Sequence, residues 1–368
     1  MSKSKEGKAM KGWISILSVF ILLFSGMLII KAADEEETPS KEKNFYENSL
    51  HYTNKGLEYW YSKEQGGLER LTGIPFSELS CQRCHVRSCD ACHKKEVDGK
   101  LAYSAEPAQI QEVCQKCHGI QTLEDAKKYD KDYPLDIHFK NGMNCMDCHS
   151  AREIHGDGKA YNSLQETGAM DTKCENCHDS LSTIDSHVVH GGKLDCNSCH
   201  VKELPSCYNC HFDTRVKEDK SVSLPLENIL FLVNHDGKVT LANLHTFVYQ
   251  NKGMIVFAPS FSHFVIKEGR ACDECHDTQI VRDIKMDQFK PVVFEEGQLK
   301  SISGIIPVLD GMKWDLVFLD YKDGKWTPIE HSVEPLIHYS GYCNPLTIDQ
   351  FSKLEKAASP KLDSKRGP

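Results

Sequence analysis

One five-residue order, Cys-x-x-Cys-His, recurs through this chain and sets the chemistry open to it. It is made by Cys81, Cys84 and His85; Cys89, Cys92 and His93; Cys114, Cys117 and His118; and Cys145, Cys148 and His149. It returns at Cys174, Cys177 and His178; Cys196, Cys199 and His200; Cys207, Cys210 and His211; and, set apart downstream, Cys272, Cys275 and His276. Two thiols at this spacing add to the two vinyl groups of one porphyrin, and the following imidazole reaches the iron from the same side. The eight copies use sixteen of the seventeen cysteines. Zinc ribbons pair two Cys-x-x-Cys knuckles without a fixed following His. A disulfide framework makes no demand for His in the fifth place. The tight four-cysteine runs of iron–sulfur ferredoxins are absent. The pattern therefore predicts eight covalently bound c-type haems.

Histidine supply fits that count. Of eighteen histidines, eight follow the cysteine pairs as proximal ligands and ten remain. Low-potential electron-transfer haems take a second imidazole on the iron. His138 lies seven residues before Cys145, and His187 and His190 lie nine and six before Cys196. These three are read as distal iron ligands, as are His155, His263 and His51. His235, in Asn234-His235-Asp236-Gly237, reads as a solvated turn residue. His245, His331 and His338 stay open between ligand and ordinary histidine. Cys343 is the one cysteine outside the motifs, read as a buried thiol.

The elements that must hold these residues are short. Motif starts are 8, 25, 31, 29, 22 and 11 residues apart between Cys81 and Cys207, so no strict repeat exists. That stretch is rich in Lys, Asp, Asn and Gly and cannot pack a conventional core. Short helices and loops wound round the cofactors are expected, with each motif near a helix end. Ahead of it, Tyr46, Leu50, Leu57, Tyr61 and Leu68 recur at helical intervals until Gly66-Gly67 and Gly73 interrupt. After Phe212 the composition turns to Val, Leu, Ile and Phe with turn signals at Asp236-Gly237, Asn251-Lys252-Gly253 and Asp323-Gly324, which predicts strands. The fold class expected is a mainly α and irregular multihaem protein wound round eight haems, with a small β-rich C-terminal module. Its parts are a signal sequence or membrane anchor at 1–33, a tether at 34–44, a seven-motif domain at 45–213, a β-rich module with the eighth motif at 214–352, and a loose tail at 353–368.

Lys3, Lys5, Lys8 and Lys11 lead into an uncharged apolar run from Trp13 to Ile30. A membrane-spanning helix needs about 18 or more apolar residues. This run reaches that length, which favours an uncleaved anchor over a cleaved leader. The lysines would stay in the cytoplasm, and the haem region would face the periplasmic side of the cytoplasmic membrane. A net charge of −9 and the lack of a basic patch interleaved with aromatics argue against nucleic acid. An acidic surface suits steering toward basic patches on redox partners.

Three stretches carry a family resemblance: Ser49-Leu50-His51 to His93, with Glu58-Tyr59-Trp60-Tyr61; Asp136-Ile137-His138 to Gly158; and His190-Gly191-Gly192-Lys193 to Phe212. They resemble the membrane-associated multihaem cytochromes c of metal- and sulfur-respiring bacteria, over most of 45–213. The resemblance implies electron transfer through bis-histidine haems. The whole sequence reads as a membrane-tethered carrier that accepts electrons from a quinol-linked membrane complex and passes them to periplasmic or outer-surface cytochromes. Octahaem tetrathionate and nitrite reductases are related, and imply the alternative of a reductase or oxidase of a small nitrogen or sulfur compound. Their catalytic Cys-x-x-Cys-Lys motif is absent here, since all eight motifs end in His. Hydroxylamine oxidoreductases use all-His motifs with a cross-linked tyrosine, and nothing in the sequence marks Tyr339 or Tyr342 for that role.

Overall fold

The computed structural model describes residues 45–80, 86–118, 136–181, 183–260, 263–330 and 334–358. The motif Cys81–His85, the apolar run at 13–30, the tether, His331 and the residues beyond 358 lie outside them. No described helix is long and apolar enough to cross a membrane.

Before Ser206 the described chain is mostly short helical turns. They include Lys55–Tyr61, Glu69–Thr72, Asp90–His93, Gln111–His118, Ile137–Lys140, Cys145–Cys148, Ala151–His155, Asp185–His190 and Asn197–His200. Local polar groups start and stop them. Asp136, Asn144 and Ser150 accept hydrogen bonds from the first turns that follow them. Gly66, Gly73 and Gly191 end their helices with positive φ. One hairpin interrupts the turns, β1 (Lys94–Val97) and β2 (Lys100–Tyr103), directly after His93.

The rest is organised by an eight-stranded mixed sheet. Its strands are β3 (Ser206–His211), β4 (Leu224–Leu226), β5 (Ile229–His235), β6 (Lys238–Tyr249) and β7 (Lys252–Pro259), with later additions. Two hairpin strands follow outside it, β8 (Val292–Glu295) and β9 (Gln298–Ser301). Next, β10 (Gly304–Pro307) joins the sheet parallel to β5. A second outside hairpin is β11 (Leu319–Lys322) with β12 (Lys325–Pro328). Finally β13 (Leu336–Tyr339) pairs parallel to β7, and β14 (Cys343–Asn344) pairs with the end of β5. The hairpin turns Asp236-Gly237, Gln250-Asn251 and Asp323-Gly324 each hold two residues at positive φ, the geometry that matches the twist of paired strands.

Both faces of β5 are covered, so its residues run apolar without alternation. Phe231 and Val233 enter one core with Tyr208, Val248, Phe257 and Trp314, while Leu230 and Leu232 enter another with Val201, Leu241 and Ile305. A third cluster seats Tyr61, Leu68 and Leu71 on Phe212 and Met254, tying the N-terminal turns to the sheet. The sheet reaches back past residue 213: β3 pairs with β6 and β4, so the motif at Cys207–His211 stands inside the β-rich part. His235 also departs from the expected solvated turn. It closes β5 opposite Cys343, and its Nε2 is buried without a hydrogen-bond partner. Cys343 is buried, 3% exposed, with Sγ 3.7 Å from the Phe257 carbonyl.

Candidate haem-binding sites

Six described motifs are built as one helical turn. The backbone N–H of His93, His149, His178, His200 and His276 each donates to the carbonyl of the first cysteine of its motif, at 2.9 to 3.0 Å. Cys114, Cys117 and His118 lie within the helix Gln111–His118. Residues three apart share a helix face, so both thiols project to one side and the histidine follows them.

Opposite each of these six motif histidines stands a second histidine. Ring centres are 5.8 Å apart for His93 and His155, and 6.1 Å for both His118 with His51 and His149 with His263. They are 6.2 Å apart for His178 and His138, and 6.3 Å for both His200 with His187 and His276 with His190. Two imidazoles bound on opposite sides of one iron have centres roughly 6.4 Å apart, given metal–nitrogen bonds of about 2.1 Å. The residues thus fit a haem at each pair. Among the described residues no group of three or more His, Cys, Asp or Glu converges on a bare metal ion, which is the arrangement a structural zinc centre needs.

In six of these twelve rings Nδ1 is already engaged. A metal-bound histidine ordinarily donates its other N–H to a carbonyl or carboxylate, which fixes the ring. Nδ1 of His93 lies 2.9 Å from the Ser104 carbonyl, that of His200 3.2 Å from Ile266 O, and that of His276 2.9 Å from Lys353 O. His149 Nδ1 lies 2.8 Å from Glu153 Oε2, His138 Nδ1 3.1 Å from Asp136 Oδ1, and His190 Nδ1 2.7 Å from Ser186 O. With Nδ1 so engaged, Nε2 is the nitrogen left for a metal in those six rings. Burial, and then the facing His118, hold His51 below the usual imidazole range. Burial and then His93 do the same for His155. Both are thereby kept in the neutral form that binds iron.

Glu153 and Asp136 had no place in the sequence reading. Asp136 caps its helix by accepting from His138 N and also accepts from Val265 N at 2.8 Å. Glu153 is buried and receives Thr172 N at 2.5 Å, Thr172 Oγ1 and Asp171 N besides His149. Burial pushes its carboxyl up, but these donors outweigh that and hold it below the ordinary range. Glu153 follows His149 by four residues, but His149 and Ser150 are extended and separate the two helical turns, so helical spacing offered no signal for the contact.

The turn-built motifs also neighbour one another in chain order. Cys92 lies near Cys114 and Cys117, and Cys145 reaches Cys114 by a side-chain hydrogen bond. Cys148 lies near Cys177, Cys174 hydrogen-bonds to Cys196, and Cys199 and Cys275 lie near Cys272 and each other. The paired histidines bind this file crosswise. The helix Asp185–His190 supplies one ring to His200 and another to His276.

The motif Cys207–His211 is built differently. It is a strand, and His211 N donates to Val222 O at 2.9 Å, not to Cys207. Asn209 takes the left-handed conformation, φ 57°, and makes a bulge. As a result Cys207 stands opposite His245 and Cys210 opposite Phe247, two β6 residues on one face, while His211 stands opposite Val248 on the other. Tyr208 is fully buried and donates to Val317 O at 2.6 Å. Asn209 donates to Leu319 O and accepts from Leu319 N at 2.7 Å. His211, 5% exposed, uses Nε2 rather than Nδ1, 2.9 Å from Asp320 Oδ1, and its ring neighbours are Tyr321 and Trp326. These residues do not present two thiols and an imidazole to one porphyrin.

Of the histidines left open, His245 and His338 lie in one row across the sheet, on either side of Val256. Both are pushed down to about 4 by burial, His338 further by Arg70. Neither of the two rings has a motif histidine as its neighbour in these rows. Tyr342 packs on Trp60 and Tyr59.

No family model matches the chain, and no solved structure matches it. Curated proteins named cytochrome c-552 do. One from Haemophilus ducreyi is 22% identical over 183 residues, 44% of this chain and 36% of that protein. One from Haemophilus influenzae strain Rd is 42% identical over 86 residues, 23% of this chain and 16% of the relative. Another, from Haemophilus influenzae strain 86-028NP, is 29% identical over 90 residues, 24% and 17%. The chain thus spans about a third of the length of these relatives, or less.

Proposed function

We propose that this chain is a multihaem c-type cytochrome that conducts electrons on the outer side of the cytoplasmic membrane. The observation that carries the reading is the set of six facing histidine pairs at 5.8 to 6.3 Å. Similarity to proteins named cytochrome c-552 supports covalent haem. When bound, each haem supplies an iron that alternates between ferric and ferrous. Each turn-built motif would hold its haem through its two cysteines and its histidine. The facing His51, His138, His155, His187, His190 or His263 would hold the same group from the other side. Asp136 and Ser186 would hold the His138 and His190 rings still through Nδ1, so little would reorganise when the electron moves, and an iron held by two imidazoles would offer no place for a substrate. The motif Cys81–His85 would add a further haem. The neighbouring thiols from Cys92 to Cys272 support a single file of haems in chain order, which suits conduction over distance.

Donor and acceptor follow from the setting proposed for the chain. Anchored through Trp13 to Ile30, it would take electrons from a quinol-linked membrane complex and hand them to periplasmic or outer-surface cytochromes. Electronic and electron-paramagnetic-resonance spectra of the matured protein test the reading. Low-spin haem in both oxidation states, without carbon monoxide binding at the six paired irons, is the expected result. A protein without haem overturns it. Turnover of nitrite, hydroxylamine or tetrathionate with a reduced dye would favour the reductase alternative.

A further inference from the structure

The geometry points to a haem-free role for the motif Cys207–His211: it is a strand of the fold whose thiols remain unalkylated by porphyrin. The inference rests on the cytochrome reading of the other motifs and departs from it at this one place. Four observations meet there. The two thiols and the imidazole leave opposite faces of β3, by register with His245, Phe247 and Val248. One haem cannot be bonded to both faces of a paired strand. The closing hydrogen bond of the helical turn, from His N to the first Cys carbonyl, is replaced by a bond to Val222 O. Nε2 of His211, the nitrogen that would face iron, is taken up at Asp320. The residues between the cysteines are fixed in the core, Tyr208 on Val317 and Asn209 on both backbone groups of Leu319.

Turning Cys207–His211 into a helical turn would break its pairing with β6 and β4 and withdraw Tyr208 and Asn209 from those partners. Among the turn-built motifs, Cys196–His200 also buries its intervening residues, Asn197 donating to Ser260 O and Ser198 to Val239 O, but its backbone keeps the turn. The others carry no such burden. Asp90 and Ala91 are exposed, as are Glu175 and Asn176. The file of neighbouring thiols likewise passes from Cys199 to Cys272.

Peptide mapping of the matured full-length protein tests this. After reduction and unfolding, iodoacetamide is expected to alkylate Cys207, Cys210 and Cys343, while the cysteines of the turn-built motifs carry thioether-linked haem. Intact mass should show seven haem increments. Haem on the peptide holding Cys207 and Cys210, with eight increments, overturns the inference and leaves the cytochrome reading standing. Absence of haem from every motif overturns that reading instead. As an independent arm, the double variant Cys207→Ser with Cys210→Ser should keep the parent haem count. Loss of one haem in it would also overturn the inference.

Discussion

Cys196–His200 and Cys207–His211 have the same five-residue pattern, a few residues apart in one chain, and the structure builds them on opposite principles. In the first, His200 N closes a turn on Cys196 O, Nδ1 is held by Ile266, and His187 faces the ring. In the second, the backbone is extended, Asn209 bulges, and His211 turns to Asp320. The pattern of cysteines and histidine specifies what can react. Which side each group leaves is decided by the backbone, and that depends on the residues between. Tyr suits a pleated surface packed on a core, and Asn tolerates the left-handed bulge. A motif scan weighs neither.

The largest expected effect lies on the turn side. Cys145→Ser with Cys148→Ser should remove one haem increment from the intact mass. It should also lower the melting temperature markedly, because a bound metal centre contributes its binding energy to folding. Retention of the parent haem count would break the comparison at its better-supported end.

Next come the facing histidines. His187→Ala and His190→Ala should each turn one haem high-spin and able to bind carbon monoxide, and the double variant should do so at two. His245→Ala should leave the spectrum unchanged. Single variants that both keep the parent spectrum would show that the ring pairs are not axial pairs.

The strand side should answer in stability without a spectral change. Asn209→Ala leaves N–H and C=O of Leu319 without partners in the core. At about 1–3 kcal/mol for each of the two buried groups left unsatisfied, urea unfolding should report a loss of roughly 2–6 kcal/mol at unchanged haem content. A spectral change in this variant would place the strand within haem contact.

Much of this was legible in the sequence, and the limits are instructive. The six histidines that face motif histidines could be found by counting and by proximity. Their partners could not. His138 precedes Cys145 closely, yet it faces His178. His187 and His190 lie three apart on one short helix and face different motif histidines, because the chain brings both His200 and His276 beside that helix, the second from far downstream. Strands after Phe212 were legible from apolar runs and turn residues. The membership of β3 was not, since its cysteines and histidine masked the one apolar residue, Tyr208, that seats it. Glu153 and Asp136 were missed because a carboxylate that orients a ring looks like any charged surface residue in the sequence.

The smallest effect expected is a proton count on the face of β3 that carries the thiols. Burial holds His245 at about 4 in the folded chain, against about 6.5 when unfolded. Between those values the unfolded state binds a proton that the folded state refuses, so stability falls as pH drops from about 6.5 toward 4 and changes no further below. His338, in the same row and also at about 4, adds a second contribution of the same sign. His245→Leu should therefore flatten the dependence by one proton, about 1.4 kcal/mol per pH unit within that window, and leave the slope owed to His338. Urea unfolding at a series of pH values from 7 to below 5 measures it. A slope equal to the parent's would mean that His245 is not a neutral buried imidazole beside Cys207. The face on which the two thiols stand would then hold something other than protein, and the contrast between strand and turn would narrow.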